Sequence, residues 1–436
     1  MDSKCSCVAM RLAQIIQYVF SRPRLSVRQR SASLDETDAA MPPHVATVFS
    51  LRWSGWRGSA ISWLARGVQI LVMLAASIVG IGFGMAAFSD SAGALAGGLL
   101  LWSALYYPAM IVHELGHYFG ARRAGMAVLR MQLGAIEIVP QRKGFRWCWS
   151  PLKKQWRIGG YVLAFADPGL PKRKQIIALV VGGPGANLAV AAVLALAGWL
   201  SPPQGAGWAW MVFAAMNACL GLANLVPRLG KGGFPSDGLT LLRALRHRID
   251  NSSYTRLVSL SVFGCTADRL PDDDIAALEA QALPMPLVAL WYRMKADQNK
   301  GDWQAAAGKQ AALEALLLSM DRAQTTQLAD LIACIRTEIA FSQAIVTRDA
   351  TVLADDLLPP KTAWHAPSLW PRCLALRAAL AGDVERCVAS LALSKRYAEN
   401  AVDRALPISE QMIRAFMAEA LGHAWNERAI DASRTA

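Results

Sequence analysis

The chain has 436 residues, of which 54% are hydrophobic and 18% are charged. This composition is too apolar for an ordinary soluble protein and indicates that part of the chain lies in lipid. The net charge of +13 does not predict nucleic-acid binding, because the basic residues flank apolar runs instead of clustering on one patterned surface. The eight cysteines include one close pair, Cys5 and Cys7, which is too tight for a zinc or redox site. We therefore expect no disulfide framework.

The chain divides into three predicted regions. Residues 1–58 are polar and rich in serine and arginine, which is typical of a disordered cytosolic tail. A short apolar patch in this tail contains two glutamines and no small-residue cleavage site, so we expect no removed signal peptide. Residues 59–250 are the expected transmembrane core, and residues 251–436 are an expected cytosolic α-helical domain.

Four apolar stretches in the core are long enough to cross a membrane as helices, which needs about 20 residues each. They run from Gly67 to Phe88, Leu95 to Ala121, Ile176 to Leu200 and Trp208 to Val226. The connectors inside the first and second pairs contain no lysine or arginine, whereas the other flanks are rich in both. The positive-inside rule therefore predicts that both termini and the long middle loop lie in the cytoplasm.

Two regions show no spanning pattern. Between Met126 and Leu163, short alternating stretches predict strands of a small β-hairpin region at the membrane surface. After residue 251 the pattern becomes amphipathic and helical, and residues 289–318 and 373–400 each predict a helix, a Gly-Asp turn and a second helix. The turns at Asp349 and Asp383 are 34 residues apart, the tetratricopeptide period. A plain irregular helical bundle is the alternative to such a repeat. The predicted fold class is mainly α, a polytopic membrane protein with about four transmembrane helices and a C-terminal helical domain.

The second apolar stretch contains the segment MIVHELGHYFG, residues 110–120. Ionisable residues inside a span each cost roughly 2.5 to 3.5 kcal/mol, so three of them close together indicate a functional site. On a helix, His113 and His117 lie on one face and can direct their imidazole nitrogens at one metal ion, as in zinc sites. Glu114 is rotated by about 100° and can act as a general base on a zinc-activated water. Hydrogen bonds of the histidines to neighbouring helices are the metal-free alternative.

A catalytic zinc needs a third protein ligand and an open position for water. The segment NLVPRLGKGGFPSDGLTLL, residues 224–242, contains Pro227 and three glycines that break the fourth helix. Unwound backbone at membrane depth is tolerated only where it is buried in protein or lines a cavity. Asp237 follows this break, either as the third ligand or, with Ser236, only as a cap of the next helix.

Over about residues 67–245 these motifs together resemble the site-2 protease family of intramembrane zinc metalloproteases. The residues that carry the resemblance are His113, Glu114 and His117, then Gly183, Pro184 and Asn187, then Asn224, Pro227, Asp237 and Gly238. The resemblance implies that Asp237 is the third zinc ligand. The chain departs from the family at one place, because the ten positions from Pro227 to Asp237 exceed the family's spacing.

The resemblance implies an enzyme that uses Zn²⁺ to hydrolyse a peptide bond in or near the transmembrane segment of a membrane-anchored protein. Its expected location is a bacterial cytoplasmic membrane, with the lipid bilayer, the protein substrate and a protein bound to the helical domain as partners. Asn187, Asn224 and Gly160 are candidate contacts for the substrate or for the developing oxyanion. For Asn187 the alternative is a role in helix packing, and for Gly160 a simple surface hairpin.

A non-catalytic membrane scaffold or metal-binding protein is the alternative function. In that case the C-terminal helical domain would be the working part of the chain and would bind partners. Glu114 distinguishes the two functions, because holding a metal does not require a base beside the histidine.

Overall fold

A computed structural model describes residues 56–89, 93–150, 159–202, 206–229 and 235–422. Nearly all of the predicted N-terminal tail, residues 1–58, lies outside these ranges. The described part of the chain is mainly helical and contains one small antiparallel sheet. The predicted fold class is confirmed in these respects, while the tetratricopeptide-like repeat stays a prediction.

Four helices in the first half of the chain are long and apolar enough to cross a membrane. They are α1 (Trp56–Ala87), α2 (Ala94–Arg123), α3 (Lys172–Leu200) and α4 (Ala206–Leu225). The predicted spans lie within these helices, apart from the last residues of the first and fourth spans, Phe88 and Val226. The helices α1 and α3 begin earlier than their apolar runs, because backbone hydrogen bonds continue through the polar residues at the helix ends.

The helices α2 and α3 meet backbone to backbone at three glycines. A Cβ atom added to Gly116 would lie 2.3 Å from the carbonyl oxygen of Gly182, and one added to Gly182 would lie 2.3 Å from the carbonyl oxygen of Gly116. One turn further, a Cβ on Gly120 would lie 2.3 Å from the carbonyl oxygen of Ala178. Small residues allow this close approach between membrane helices. The contact brings the HELGH segment of α2 directly against α3.

Between α2 and α3 the chain forms a four-stranded antiparallel sheet rather than a single hairpin. Its strands are β1 (Ala127–Leu133), β2 (Ile136–Pro140), β3 (Phe145–Trp149) and β4 (Gly160–Phe165). Their order across the sheet is β3-β2-β1-β4, so β3 and β4 are the edges. Both predicted strand stretches are confirmed. The strand β3 was not predicted, although its sequence FRWCW alternates aromatic residues with arginine and cysteine.

The sheet lies between two hydrophobic layers, and every residue of β1 is buried. On one side Val128 and Met131 pack with residues of α2 and α3. On the other side Leu129 and Phe165 belong to the core of the C-terminal helical region. The predicted domain division at residue 250 stays a prediction, but a continuous hydrophobic core crosses that position.

The remaining helices follow the fourth long helix, and all but the first of them build the C-terminal helical region. They are α5 (Asp237–Leu245), α6 (Ser253–Val262), α7 (Asp272–Glu279), α8 (Met285–Asn299), α9 (Trp303–Ala307), α10 (Lys309–Leu318), α11 (Arg322–Gln327), α12 (Ala329–Thr347), α13 (Pro360–His365), α14 (Leu369–Leu380), α15 (Val384–Glu399) and α16 (Ala405–Leu421).

The two predicted helix–turn–helix units, α8–α9 and α14–α15, use the same turn chemistry. Gly301 and Gly382 have φ angles of 75° and 74°, a left-handed conformation that glycine adopts without steric cost. The aspartate after each glycine caps the next helix. Asp302 accepts a hydrogen bond from the backbone of Ala305, and Asp383 accepts one from Arg386. The predicted Gly-Asp turns are therefore confirmed.

Candidate metal centre

The HELGH segment lies in the last third of α2, where its three ionisable side chains are buried. His113 and Glu114 are each 6% exposed and His117 is 8% exposed. The two imidazole rings are one helical turn apart, and their Nε2 atoms are 3.1 Å from each other. The spacing of four residues therefore does place two nitrogen atoms at one point, as expected for a helix.

Asp237 contributes a third atom to this point. Its Oδ2 lies 3.1 Å from Nε2 of His113 and 3.4 Å from Nε2 of His117. Two ligand atoms at about 2.0 to 2.1 Å from a tetrahedral zinc are about 3.3 Å apart. The three atoms thus form a triangle of the size that a zinc ion requires, and we call these residues the His-His-Asp triad.

The long spacing between Pro227 and Asp237 does not prevent this contact. Residues 230–234 lie outside the described part of the chain, but Leu229 and Pro235 on either side of them form an antiparallel bridge. The Ser236 hydroxyl donates a hydrogen bond to the carbonyl oxygen of Val226, 2.7 Å away. The chain therefore returns to the end of α4 before Asp237.

Close packing also holds the start of α5, the helix that Asp237 begins. A Cβ atom on Gly238 would lie 1.9 Å from the carbonyl oxygen of Leu225, so only glycine permits this approach to α4. Ser236 caps α5 by accepting a hydrogen bond from the backbone of Leu239. The predicted capping role thus belongs to Ser236, while the carboxylate of Asp237 faces the histidines.

Hydrogen bonds behind the two histidines orient their rings. Nδ1 of His113 lies 2.6 Å from Oδ1 of Asn187, and Nδ1 of His117 lies 2.7 Å from the carbonyl oxygen of Leu179. Both oxygens accept hydrogen bonds, so each Nδ1 carries a proton. Each Nε2 faces Asp237: when protonated it donates to the carboxylate, and without that proton it presents a lone pair to a metal ion. Three electron-pair donors that face one point suit a bound cation.

The carboxyl group of Asp237 is suited to its position in the triad. Burial by itself would raise its pKa, but the side-chain hydrogen bonds with His113 and His117 lower the pKa to about 2. Asp237 is therefore ionised at neutral pH. A carboxylate of this kind, together with two imidazoles, is a ligand set found in catalytic zinc sites.

The amide of Asn187 is held in one orientation. Its Nδ2 donates to the carbonyl oxygen of Ala109 at 2.9 Å and to Oδ1 of Asn217 at 2.8 Å. Asn217 in turn donates to the carbonyl oxygen of Phe213. Both amide hydrogens of Asn187 are thus used within the protein, which favours orientation of His113 over the expected contact with substrate or oxyanion. Asn217 was not singled out from the sequence, although a polar residue inside an apolar span is a signal.

Glycines make room for the functional side chains on two sides. A Cβ atom on Gly183 of α3 would lie 2.4 Å from Nε2 of His117. One on Gly160, the first residue of β4, would lie 2.6 Å from Cγ and 2.8 Å from Oε1 of Glu114. Glu114 stays outside the triad. Its carboxylate therefore lies between the metal site and the edge strand of the sheet.

Asn224 lies beside the triad at the end of α4. Its Nδ2 is 3.4 Å from Nε2 of His113, and its side chain is half-buried. Of the three candidate substrate contacts, Asn224 therefore adjoins the metal site and Gly160 adjoins Glu114. Asn187 lies behind His113.

Replacement of Asn187 by alanine is expected to lower the affinity of the candidate metal site for a metal ion, measured with Zn²⁺, by about 10- to 100-fold, the usual effect of losing a partner that orients a ligand. His113 would lose the acceptor that holds its tautomer and ring orientation. Competition with a calibrated chelator measures the affinity. Gln175→Ala is the matched control, because Gln175 is a buried amide of the same helix whose hydrogen bonds go to Asp167 and Leu170. Equal affinities of Asn187→Ala and wild type would contradict the role of Asn187.

Four helices of spanning length, together with a His-His-Asp triad whose two histidines are buried, define a membrane protein with a candidate metal site. Residues 104–206 match the family model of peptidase family M50, the site-2 protease family. The matched range contains His113, Glu114, His117 and Asn187 and ends before Asp237. The resemblance read from the motifs is confirmed over this range, and the match supports a metalloprotease. No curated protein and no solved structure matches the chain.

Proposed function

We propose that the protein is an intramembrane zinc metalloprotease that cleaves a membrane-anchored protein in or near its transmembrane segment. The observation that carries this proposal is the His-His-Asp triad with Glu114 beside it. Its ligands are His113, His117 and Asp237, whose distances of 3.1 to 3.4 Å fit one tetrahedral zinc. The match of residues 104–206 to a metallopeptidase family supports the same function.

Glu114 is the proposed general base. When bound, zinc supplies a Lewis acid that polarises the scissile carbonyl and makes a water acidic enough to lose its proton near neutral pH. Glu114 takes this proton and delivers it to the leaving amine. Its exclusion from the triad supports this role, because its carboxylate stays available for proton transfer. A metal-holding scaffold, the alternative function, would not need this carboxylate.

The edge strand β4 is the proposed binding site for the substrate backbone. A membrane helix hides its amides in internal hydrogen bonds, so the segment to be cut must first unwind. Among the described strands, β4 pairs with β1 alone and leaves its other edge free. An unwound segment that adds to this edge would run past Gly160, which lies against Glu114. The scissile bond would thus come close to the general base.

Asn224 is the proposed donor to the substrate carbonyl or to the oxyanion that develops from it. Its amide nitrogen lies at the rim of the triad, 3.4 Å from Nε2 of His113. A donor at this position would stabilise negative charge where the carbonyl is attacked. Asn187 has no comparable freedom, because its amide group is held by Ala109 and Asn217.

The proposed location is a bacterial cytoplasmic membrane, with both termini and the sheet on the cytoplasmic side. The arginines at the end of α2, Arg122 and Arg123, support this orientation, as do the basic residues that begin α3, Lys172–Lys174. The metal site then lies near the cytoplasmic surface, where water can reach it. A protein partner at the helical region remains part of the proposal.

Zinc removal tests the function. The full chain in detergent is expected to contain one zinc per molecule and to cleave at least one member of a panel of single-span reporters. A chelator should abolish cleavage and added Zn²⁺ should restore it. Asp237→Ala is expected to lose both zinc and cleavage, whereas Asp355→Ala, which removes an exposed carboxylate, should retain both. Cleavage that persists without metal would refute the proposal, and full zinc in Asp237→Ala would reassign the third ligand.

A further inference from the structure

Arg130 on β1 is a buried charged residue outside the metal centre, with 4% of its surface exposed. Its guanidinium group reaches three other elements. One nitrogen lies 3.1 Å from Oε1 of Glu137 on β2 and 3.2 Å from Nδ1 of His365 on α13. Another donates to the hydroxyl of Tyr161 on β4, 3.4 Å away. One side chain thus connects three strands of the sheet with the C-terminal helical region.

A β-bulge makes this reach possible. The pairing of β1 with β4 shifts register between Val128 and Arg130, so that Leu129 is an extra residue. Leu129 packs in the core of the helical region, and Arg130 contacts His365 of the same region. Two successive residues therefore face the helices, which a regular strand with alternating side chains would not allow.

The helical region holds the sheet at two further points. The guanidinium of Arg146 on β3 stacks on the ring of Trp364, 4.0 Å from its centre. In the turn between β2 and β3, the backbone amide of Arg142 donates to the carbonyl oxygen of Asn400, and that of Lys143 donates to the Asn400 side chain. The docking is therefore a fixed contact between folded elements.

The connection through Arg130 ends next to the proposed catalytic residue. Tyr161 directly follows Gly160, whose backbone lies against Glu114. Tyr161 is also a cross-strand partner of Gln132, two residues after Arg130 on β1. Movement of Tyr161 would move the backbone of β4 beside Glu114. The helical region thus contacts, through His365 and Arg130, the strand that is proposed to bind the substrate backbone.

A contribution to folding stability does not by itself explain why the charged side chains of Arg130 and Glu137 are buried. A buried ion pair often contributes no more stability than apolar residues of the same volume, whereas it does fix one arrangement of its neighbours. A guanidinium group carries five N–H donors in a planar geometry, which suits it to hold several acceptors in fixed positions. Apolar contacts already hold the sheet to the helical region through Leu129 and Phe165.

We propose that Arg130, held by His365, is a positioning residue that keeps β4 beside Glu114. The C-terminal helical region is thereby part of the apparatus that binds the substrate backbone. This inference rests on the proposed function, because it assigns the edge of β4 to substrate binding. It also has a structural consequence that can be measured without enzymatic activity. When the contact between Arg130 and His365 is removed, the backbone of β4 should become more mobile.

The test compares His365→Ala and Tyr161→Phe with wild type in the full detergent-solubilised chain. Hydrogen–deuterium exchange of residues 160–165 is expected to rise about tenfold in both variants, since each loses a hydrogen bond to a charged group. For a single-span reporter that wild type cleaves, KM should rise about tenfold while kcat and zinc content stay within twofold. His365→Asn, which retains an acceptor near the Nδ1 position, should restore both values.

Thr362→Val is the matched control. Thr362 lies on α13 like His365 and is buried, but its hydroxyl bonds Asp330 within the helical region. Its loss should leave exchange in residues 160–165 unchanged. Unchanged exchange in His365→Ala would overturn the inference, as would an equal rise across the whole chain, which indicates general destabilisation. If wild type cleaves no reporter, the proposed function fails, and the exchange measurement still decides whether Arg130 and His365 position β4.

Discussion

Glu114→Gln is expected to lower the cleavage rate by about 10²- to 10⁴-fold, the usual contribution of a general base. The substitution keeps the size of the side chain, but an amide does not accept the proton of the attacking water. Because Glu114 lies outside the His-His-Asp triad, the zinc content should stay at the wild-type level. Reporter cleavage and elemental analysis of the same preparation measure the two quantities.

Glu314→Gln is the control for this substitution. This substitution makes the same chemical change at an exposed position of a helix. In the described part of the chain, the Glu314 carboxylate accepts a hydrogen bond from Gln310 alone. Its cleavage rate should equal that of wild type. If Glu114→Gln cleaved the reporter at the wild-type rate, the general-base role would be wrong and a non-catalytic function would be favoured. Loss of zinc in Glu114→Gln would instead assign the carboxylate to the metal site.

Gly183→Ala is expected to lower zinc affinity by about 100-fold or more and to abolish cleavage, an effect at least as large as losing an orienting partner. The added Cβ atom would lie 2.4 Å from Nε2 of His117, one of the three atoms of the triad. A movement of α3 away from α2 would relieve the clash, but it would also break the close backbone packing of Gly182 on Gly116. The histidine would therefore be displaced from the triad. Zinc affinity by chelator competition is the measurement.

Gly185→Ala provides a matched control two residues along the same helix. A Cβ atom there would have its nearest neighbour at 3.9 Å, in the Val181 side chain, which is ordinary contact. Zinc affinity and cleavage should both remain at wild-type values. Equal zinc affinity in Gly183→Ala and Gly185→Ala would show that crowding of His117 does not matter, and His117 would then be doubtful as a ligand.

The shared core has a consequence for experiments on the helical region. The removal of residues 251–436 would expose the face of the sheet that carries Leu129, Val139 and Phe165, all of which are buried in that core. A shortened chain would lose the support of the sheet together with any partner-binding function. Single substitutions such as His365→Ala separate the two effects, because they leave the apolar contacts in place.

Much of the fold could be predicted from local patterns. The four long helices follow from apolar runs, and the turns at Gly301 and Gly382 follow from glycine and aspartate in succession. The strand β3 was missed because its alternation of aromatic side chains covers only five residues, which is too short a stretch to stand out from the surrounding loop. The pairing of β3 with β2 could not be predicted from alternation either, because alternation does not specify which strands are neighbours in a sheet. The face of β1 that meets the helical region could not be predicted either, since a bulge at Leu129 changes the alternation.

The sequence by itself determined that His113 and His117 share a helix face with Glu114 beside them, because a spacing of four residues has one geometric meaning on a helix. Only the tertiary structure decided that Asp237 meets His113 from 124 residues away and that Asn187 orients it from 74 residues away. Such contacts depend on how closely glycine lets α2 approach α3 and α5 approach α4, and on the pairing of Leu229 with Pro235. These are properties of packed backbones, which spacing along the chain does not encode.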